Sequence, residues 1–145
     1  MPAVKRPRLF LDVNILLDFA LRRPEGYTAA ARLLSLHKAQ RVVIGLTAST
    51  FVHAYYWMVE RQKLDEQASK QLLTYLNDSL EVISVDKSLL ASAIQHNISD
   101  VEDAVQYLAA ERFLADAILT RDQDGFTGQA IPALSAEAWL QASPG

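Results

Sequence analysis

The spacing of apolar and polar positions switches repeatedly between short buried runs and helical stripes. Residues 8–12, "RLFLD", form a short apolar run closed by an acid and predict a buried strand. Residues 14–21 continue in helical spacing until "RRPEG" breaks them. Residues 27–39 place Ala30, Leu33, Leu34 and His37 on one stripe, which predicts a second helix. "RVVIGL" at 41–46 reads as a second strand, and Thr47 can cap a helix reaching about Arg61. Asp65 opens a further helix through Leu76, "EVISV" at 81–85 is a third strand, and Asp86 caps a helix to about Gln95. A helix begins near Asp100, "DAILT" at 116–120 is a fourth strand, "AIPAL" at 130–134 a short fifth, and Ser135 caps a last helix.

Strands therefore alternate with helices or helix pairs. This order predicts a three-layer α/β/α sandwich around a parallel sheet of four or five strands. With 145 residues, no repeat and no linker-like segment, a single unit over residues 1–145 is expected. No apolar run reaches the 18 or so residues of a membrane span, and the start of the chain lacks the long apolar core of a signal peptide. Cysteine is absent, which removes thiol and disulfide chemistry, and the cytoplasm is the expected compartment. A net charge of −3 argues against a broad nucleic-acid footprint but not against an acidic pocket, because bound cations reverse the local charge.

The acids then change the picture. Ligands of open α/β sheets bind at the carboxyl ends of the strands. Asp12 ends the first strand, and Asp122 follows the fourth in "ILTRDQDGF". Asp100 and Asp103, three apart, share one face of the helix before that strand. Several of these acids have a simpler role open to them: Asp100 as a helix cap, Asp103 as a first-turn acid, Asp116 as a turn residue, Asp122 and Asp124 as turn formers before Gly125. Asp12 does not, since an acid ending a buried strand without a partner costs several kcal/mol, roughly. Clustered oxygen ligands are what hard divalent cations require. Other chemistries lack their signatures: there is no GxGxxG, Walker A loop, HExxH or GxSxG, and His37, His53 and His96 lie far apart.

Two blocks carry a family likeness. "FLDVNILLDFAL" resembles the opening strand and D-x-N signature of PIN domains, and in particular of the VapC-type ribonuclease toxins of bacterial toxin–antitoxin pairs. "SDVEDAVQYLAAERFLADAILTRDQDGF" resembles their closing block, an acid-bearing helix, a strand and a T-R-D turn ending in Phe. The resemblance implies that Asp12, Asp103 and Asp122 are catalytic, that Asp12 and Asp103 bind metal, and that Asn14 and Thr120 support them. The family's helix Glu after the second strand is replaced by His53, so Asp100 or Asp116 is a candidate for the missing oxygen, with Glu60 two turns too far.

The implied reaction is Mg²⁺- or Mn²⁺-dependent hydrolysis of RNA, with a cognate antitoxin protein and a homodimer as partners. Arg22, Arg23 and Arg121 are candidates for phosphate contacts, and Arg41 is expected to be a solvated surface charge. Tyr55, Tyr56 and Trp57 suit either an interface or core packing. The competing reading, prompted by His53 and the net acidity, is a degenerate PIN fold that binds RNA or regulates without cutting. A nuclease acting on DNA or on structured RNA outside any toxin system is a third.

Overall fold

The computed structural model describes residues 5–143. Residues 1–4 and 144–145, on which the expectations of a single unit over 1–145 and of no leader partly rest, lie outside the described residues. The elements run β1 (Arg8–Leu11), α1 (Val13–Ala20), α2 (Tyr27–Lys38), β2 (Val43–Thr47), α3 (Ala48–Tyr56), a π-helical turn (Trp57–Arg61), α4 (Glu66–Ser79), β3 (Glu81–Ile83), α5 (Lys87–Ile94), α6 (Val101–Arg112), β4 (Ala117–Leu119), a 3₁₀ turn (Gln123–Phe126), β5 (Ala133–Leu134) and α7 (Ala136–Ala142). The expected alternation is present, and the five strands form one sheet in the order β3-β2-β1-β4-β5 with every pairing parallel.

Side chains of a strand alternate between faces, and this alternation sorts the core into two layers. Leu9 and Leu11 of β1, Ile44 and Leu46 of β2 and Ala117 and Leu119 of β4 face one cluster, which α1, α2, α3, α4 and α7 complete. Phe10, Val43 and Ile118 face the other, completed by α5 and α6. Burial on both faces explains why these strands read as unbroken apolar runs.

Local hydrogen bonds set the element ends. Thr47, Asp65, Asp86, Asp100 and Ser135 each accept a backbone N–H from the first turn of the helix that follows, as their spacing predicts. The expected strand at 41–46 moves two residues on, because α2 closes through Gln40 in the left-handed region (φ 60°) and Arg41 N–H still bonds back to Leu36. The helix after Thr47 widens into the π turn at Trp57, and α4 runs three residues further than its stripe suggests. His37, read from the sequence as a packing residue, bridges elements: its Nδ1 accepts the Ile44 N–H at 3.1 Å and its Nε2–H donates to the Ser79 carbonyl at 2.7 Å. Among the described residues no helix is long and apolar enough to cross a membrane.

Gly45 lets α6 approach the sheet. A Cβ there would stand 2.7–2.9 Å from the Phe113 ring. Gly45→Ala is expected to destabilise the fold by about 1–3 kcal/mol, measured by urea unfolding, and Phe113→Leu in the same chain should recover much of that loss.

Candidate active site

The chain builds β1, β2 and β3 outward on one side and then returns to place β4 and β5 on the other side of β1. The strand order reverses between β1 and β4, and in parallel sheets the crevice at that point, beyond the carboxyl ends, is where ligands bind. Asp12 and the Thr120–Asp122 turn are the residues that leave these two strands.

Asp12 belongs to both of its elements. Its N–H continues the ladder to the Leu119 carbonyl, and its extended backbone makes it the N-cap of α1. One carboxylate oxygen accepts the Val13 N–H at 2.7 Å and the other accepts the Thr120 hydroxyl at 3.1 Å. Thr120 Oγ1 in turn accepts the Asp122 N–H at 3.1 Å. One hydroxyl thus ties the acid after β1 to the acid after β4. This is the partner that the buried strand end required.

Asp103 enters from α6. Its N–H is capped by Asp100 Oδ1 at 2.9 Å, so Asp100 is a helix cap. Burial, and then the carboxylates of Asp100, Asp122 and Asp12, push the Asp103 carboxyl up to about 6. The four acids therefore share one electrostatic neighbourhood. The 3₁₀ turn closes over Asp103 at Gly125, where a Cβ would lie 2.6 Å from Oδ2. Among the described residues no three Asp, Glu or His side chains are drawn around a single point as ligands. The donor set nevertheless suits a hard divalent cation, since it consists of carboxylate oxygens whose mutual repulsion such an ion would relieve.

Asp116 and Asn14 make other contacts. Asp116 is not part of this cluster. It precedes β4, and in a parallel sheet that places it at the amino edge, opposite Asp12. Burial alone would raise its carboxyl, but the Arg8 N–H and Lys5 outweigh burial and hold it below the usual range. Asn14 does not cap α1, a position Asp12 holds, and its Oδ1 accepts from Arg23 at 3.3 Å.

Arg23 leads to a residue that the sequence reading missed. Asp18 of α1 is buried, ion-paired to Arg121 and lies 3.6 Å from Arg23. Gly26 is a glycine because the Asp18 carboxylate occupies the space a Cβ would need. Arg121 and Arg23 are thus committed to holding α1 against the β4 turn. The signal was present: Asp18 interrupts "ILLDFAL", an apolar run, as Asp12 interrupts the one before it. Arg22 lies over the Tyr27 ring at 5.6 Å. His53 is exposed, and its Nε2 accepts the Trp57 indole N–H at 3.2 Å.

Comparison with known proteins agrees with this architecture. A family model described as PIN domain matches residues 8–124. Ribonuclease VapC1 of Aquifex aeolicus (strain VF5) is 23% identical over 139 residues, covering 92% of this chain and 94% of that protein. A toxin–antitoxin complex from Klebsiella pneumoniae aligns with a TM-score of 0.63 at 17% identity, over 88% of this chain and 97% of that one. Mycobacterium tuberculosis VapC20, titled a sarcin-ricin loop cleaving toxin, aligns with a TM-score of 0.61 at 15% identity, over 81% and 92%.

The raised Asp103 carboxyl has a consequence for stability. Between pH 3.8, its ordinary value, and about 6, the unfolded chain has lost this proton while the folded chain keeps it. Stability contributed by Asp103 therefore falls as pH rises through that window and levels off above it. In metal-free buffer, the Tm of Asp103→Asn minus that of the wild type should grow from pH 4 to pH 6.5 and then stay constant. A difference independent of pH, followed by calorimetry, would contradict the shared field.

Proposed function

The chain belongs to the PIN domain family, and on that premise we propose that it is a divalent-metal-dependent endoribonuclease of the VapC type, the toxin of a bacterial toxin–antitoxin pair. The observation that carries this reading is the gathering of Asp12, Asp103 and Asp122 at the β1/β4 switch point, where burial and then the neighbouring carboxylates push Asp103 up to about 6. Such a cluster opposes folding unless something positive occupies it. The name of the Aquifex relative supports ribonuclease activity, and those of the structural neighbours support a toxin with an antitoxin partner.

Asp12 and Asp103 would hold Mg²⁺ or Mn²⁺, with Asp122 completing the acidic wall. The ion, when bound, supplies an activated water and neutralises charge at the scissile phosphate. The chain's own part is orientation. The Val13 N–H and the Thr120 hydroxyl each take one oxygen of Asp12, which fixes the plane of its carboxylate. Thr120 carries this constraint to Asp122. The Asp18 pair holds Arg121 between them, so the turn cannot drift from α1.

Asp12→Asn and Asp103→Asn keep side-chain size and remove the charge that retains the ion. Each is expected to abolish Mg²⁺- or Mn²⁺-dependent cleavage of RNA pools by purified protein, and to relieve growth arrest on expression. Full cleavage by Asp12→Asn would overturn the metal-nuclease reading. One observation favours the second reading, a PIN fold that binds RNA without cutting. The resemblance to the family puts His53 at the position of an acid, and its Nε2 accepts from Trp57. RNA binding by the wild type with no cleavage in either metal would select it.

We extend the proposal to a single cytoplasmic domain that forms a homodimer and binds a cognate antitoxin, whose Arg or Lys would compete with metal at Asp12 and Asp103. Val52 and Tyr56 on α3 are 72% and 49% exposed, which suits this helix to an interface. Light scattering is expected to give twice the chain mass, and Val52→Glu to shift the protein toward the monomer.

A further inference from the structure

The arginines beside the acids are engaged elsewhere. Arg23 and Arg121 face Asp18, and Arg22 lies over the Tyr27 ring. Affinity for a polyanion comes largely from Lys and Arg contacts to its phosphates. Such groups gather at the opposite edge of the sheet. There, beside the segments leading into β1 and β2 and between α2 and α7, a cavity of about 640 Å³ is lined by Lys5, Arg6, Arg32 and Arg41. All four are exposed, so the cavity opens to solvent. A second cavity of about 360 Å³ adjoins it, since Arg6 and Gln40 line both, and it adds Lys38.

Together the two cavities draw on five of the chain's 14 Lys and Arg residues and on one of its 17 acids, Glu81, so a net charge of −3 conceals a local excess of positive charge. Lys5 is shared with Asp116, but among the described residues neither Arg6 nor Arg32 is ion-paired. The walls also carry aromatic rings. Trp139 packs on the core beneath and lines the larger cavity, and Tyr75, 54% exposed, lines the smaller. Among the described residues neither ring stacks on another ring or on a cation. Aromatic rings set among arginines are the composition of a groove for single-stranded nucleic acid, where cations follow the phosphates and bases stack on the rings. An acidic peptide would use the cations and leave the rings idle.

We infer that this groove at the amino edge of the sheet is a second RNA-binding site, which holds a single-stranded segment remote from the scissile phosphate. The choice of RNA rests on the ribonuclease reading. From Pro7 to Asp12 the chain advances five residues along β1, so groove and acids stand roughly 17 Å apart through the sheet and engage different nucleotides of one strand. The acids then supply the chemistry, and the groove supplies affinity that the engaged Arg23 and Arg121 do not.

The test has a binding arm and a cleavage arm. In the first, Trp57→Phe protein, in which Trp139 is the remaining tryptophan, is titrated with oligoadenylate in metal-free buffer. Without metal the acids repel RNA, so binding reports the groove. Oligoadenylate should quench the Trp139 emission. Arg6→Ala combined with Arg32→Ala, both at exposed positions, should weaken binding about tenfold and reduce the slope of log K against log salt by about 1.4, the loss of two phosphate contacts. Absence of quenching, an unchanged slope, or equal quenching by polyglutamate overturns the inference. In the second arm, with Mg²⁺ or Mn²⁺, the protein cuts a long RNA and one with two nucleotides on each side of the cut, too short to cross the sheet. The wild type should show a KM about tenfold lower for the long RNA, and the double variant should lose that advantage. Equal KM for both RNAs in the wild type, or an advantage kept by the double variant, overturns the inference. If the wild type cuts no RNA, the nuclease reading fails and the binding arm decides the groove alone.

Discussion

The site depends on a double attachment between α1 and the turn after β4. Thr120 bonds Asp12 at the first residue of the join, and Arg121 pairs with Asp18 nearly two turns further along the helix. A single contact would leave the turn free to pivot, whereas two contacts along a rigid helix fix its direction. Asp18 is buried, and a carboxylate in that position strongly destabilises the fold if its partner is removed. The ion pair therefore holds the turn in one place, and the placement of Asp122 follows from it.

Against this rigid frame the acids are a source of repulsion. Burial and then four neighbouring carboxylates act on Asp103, and the fold keeps a proton on it to about pH 6. Gly125 allows the following turn to close over that side chain with no methyl group in the way. Stability is thus reduced at the clustered acids. The cap bond from Asp100 partly offsets this by satisfying an N–H at the start of α6.

The helix after β2 differs in kind from the rest of the rim. Thr47, buried at the end of β2, gathers the hydroxyls of Ser49 and Thr50 at 2.9 Å each, while His53 turns to the Trp57 indole. Hydroxyls and an imidazole line this helix, which carries no carboxylate. Imidazole is a poor ligand for magnesium.

The sequence alone determined the alternation of strands and helices, the five caps at Thr47, Asp65, Asp86, Asp100 and Ser135, and the acids at the ends of β1 and β4. Each of these is set by residues a few positions apart, through side-chain period or a local hydrogen bond. It also carried the family likeness, because that likeness lies in short motifs. Tertiary structure decided what depends on strand order. Asp116 and Asp122 flank the same strand, yet only the second reaches Asp12, because parallel strands send their two ends to opposite edges. Asp18 meets Arg121 across 103 residues of chain. Burial and ion pairing between distant segments have no period and no local signature, so they exist only when the sheet has brought those segments together.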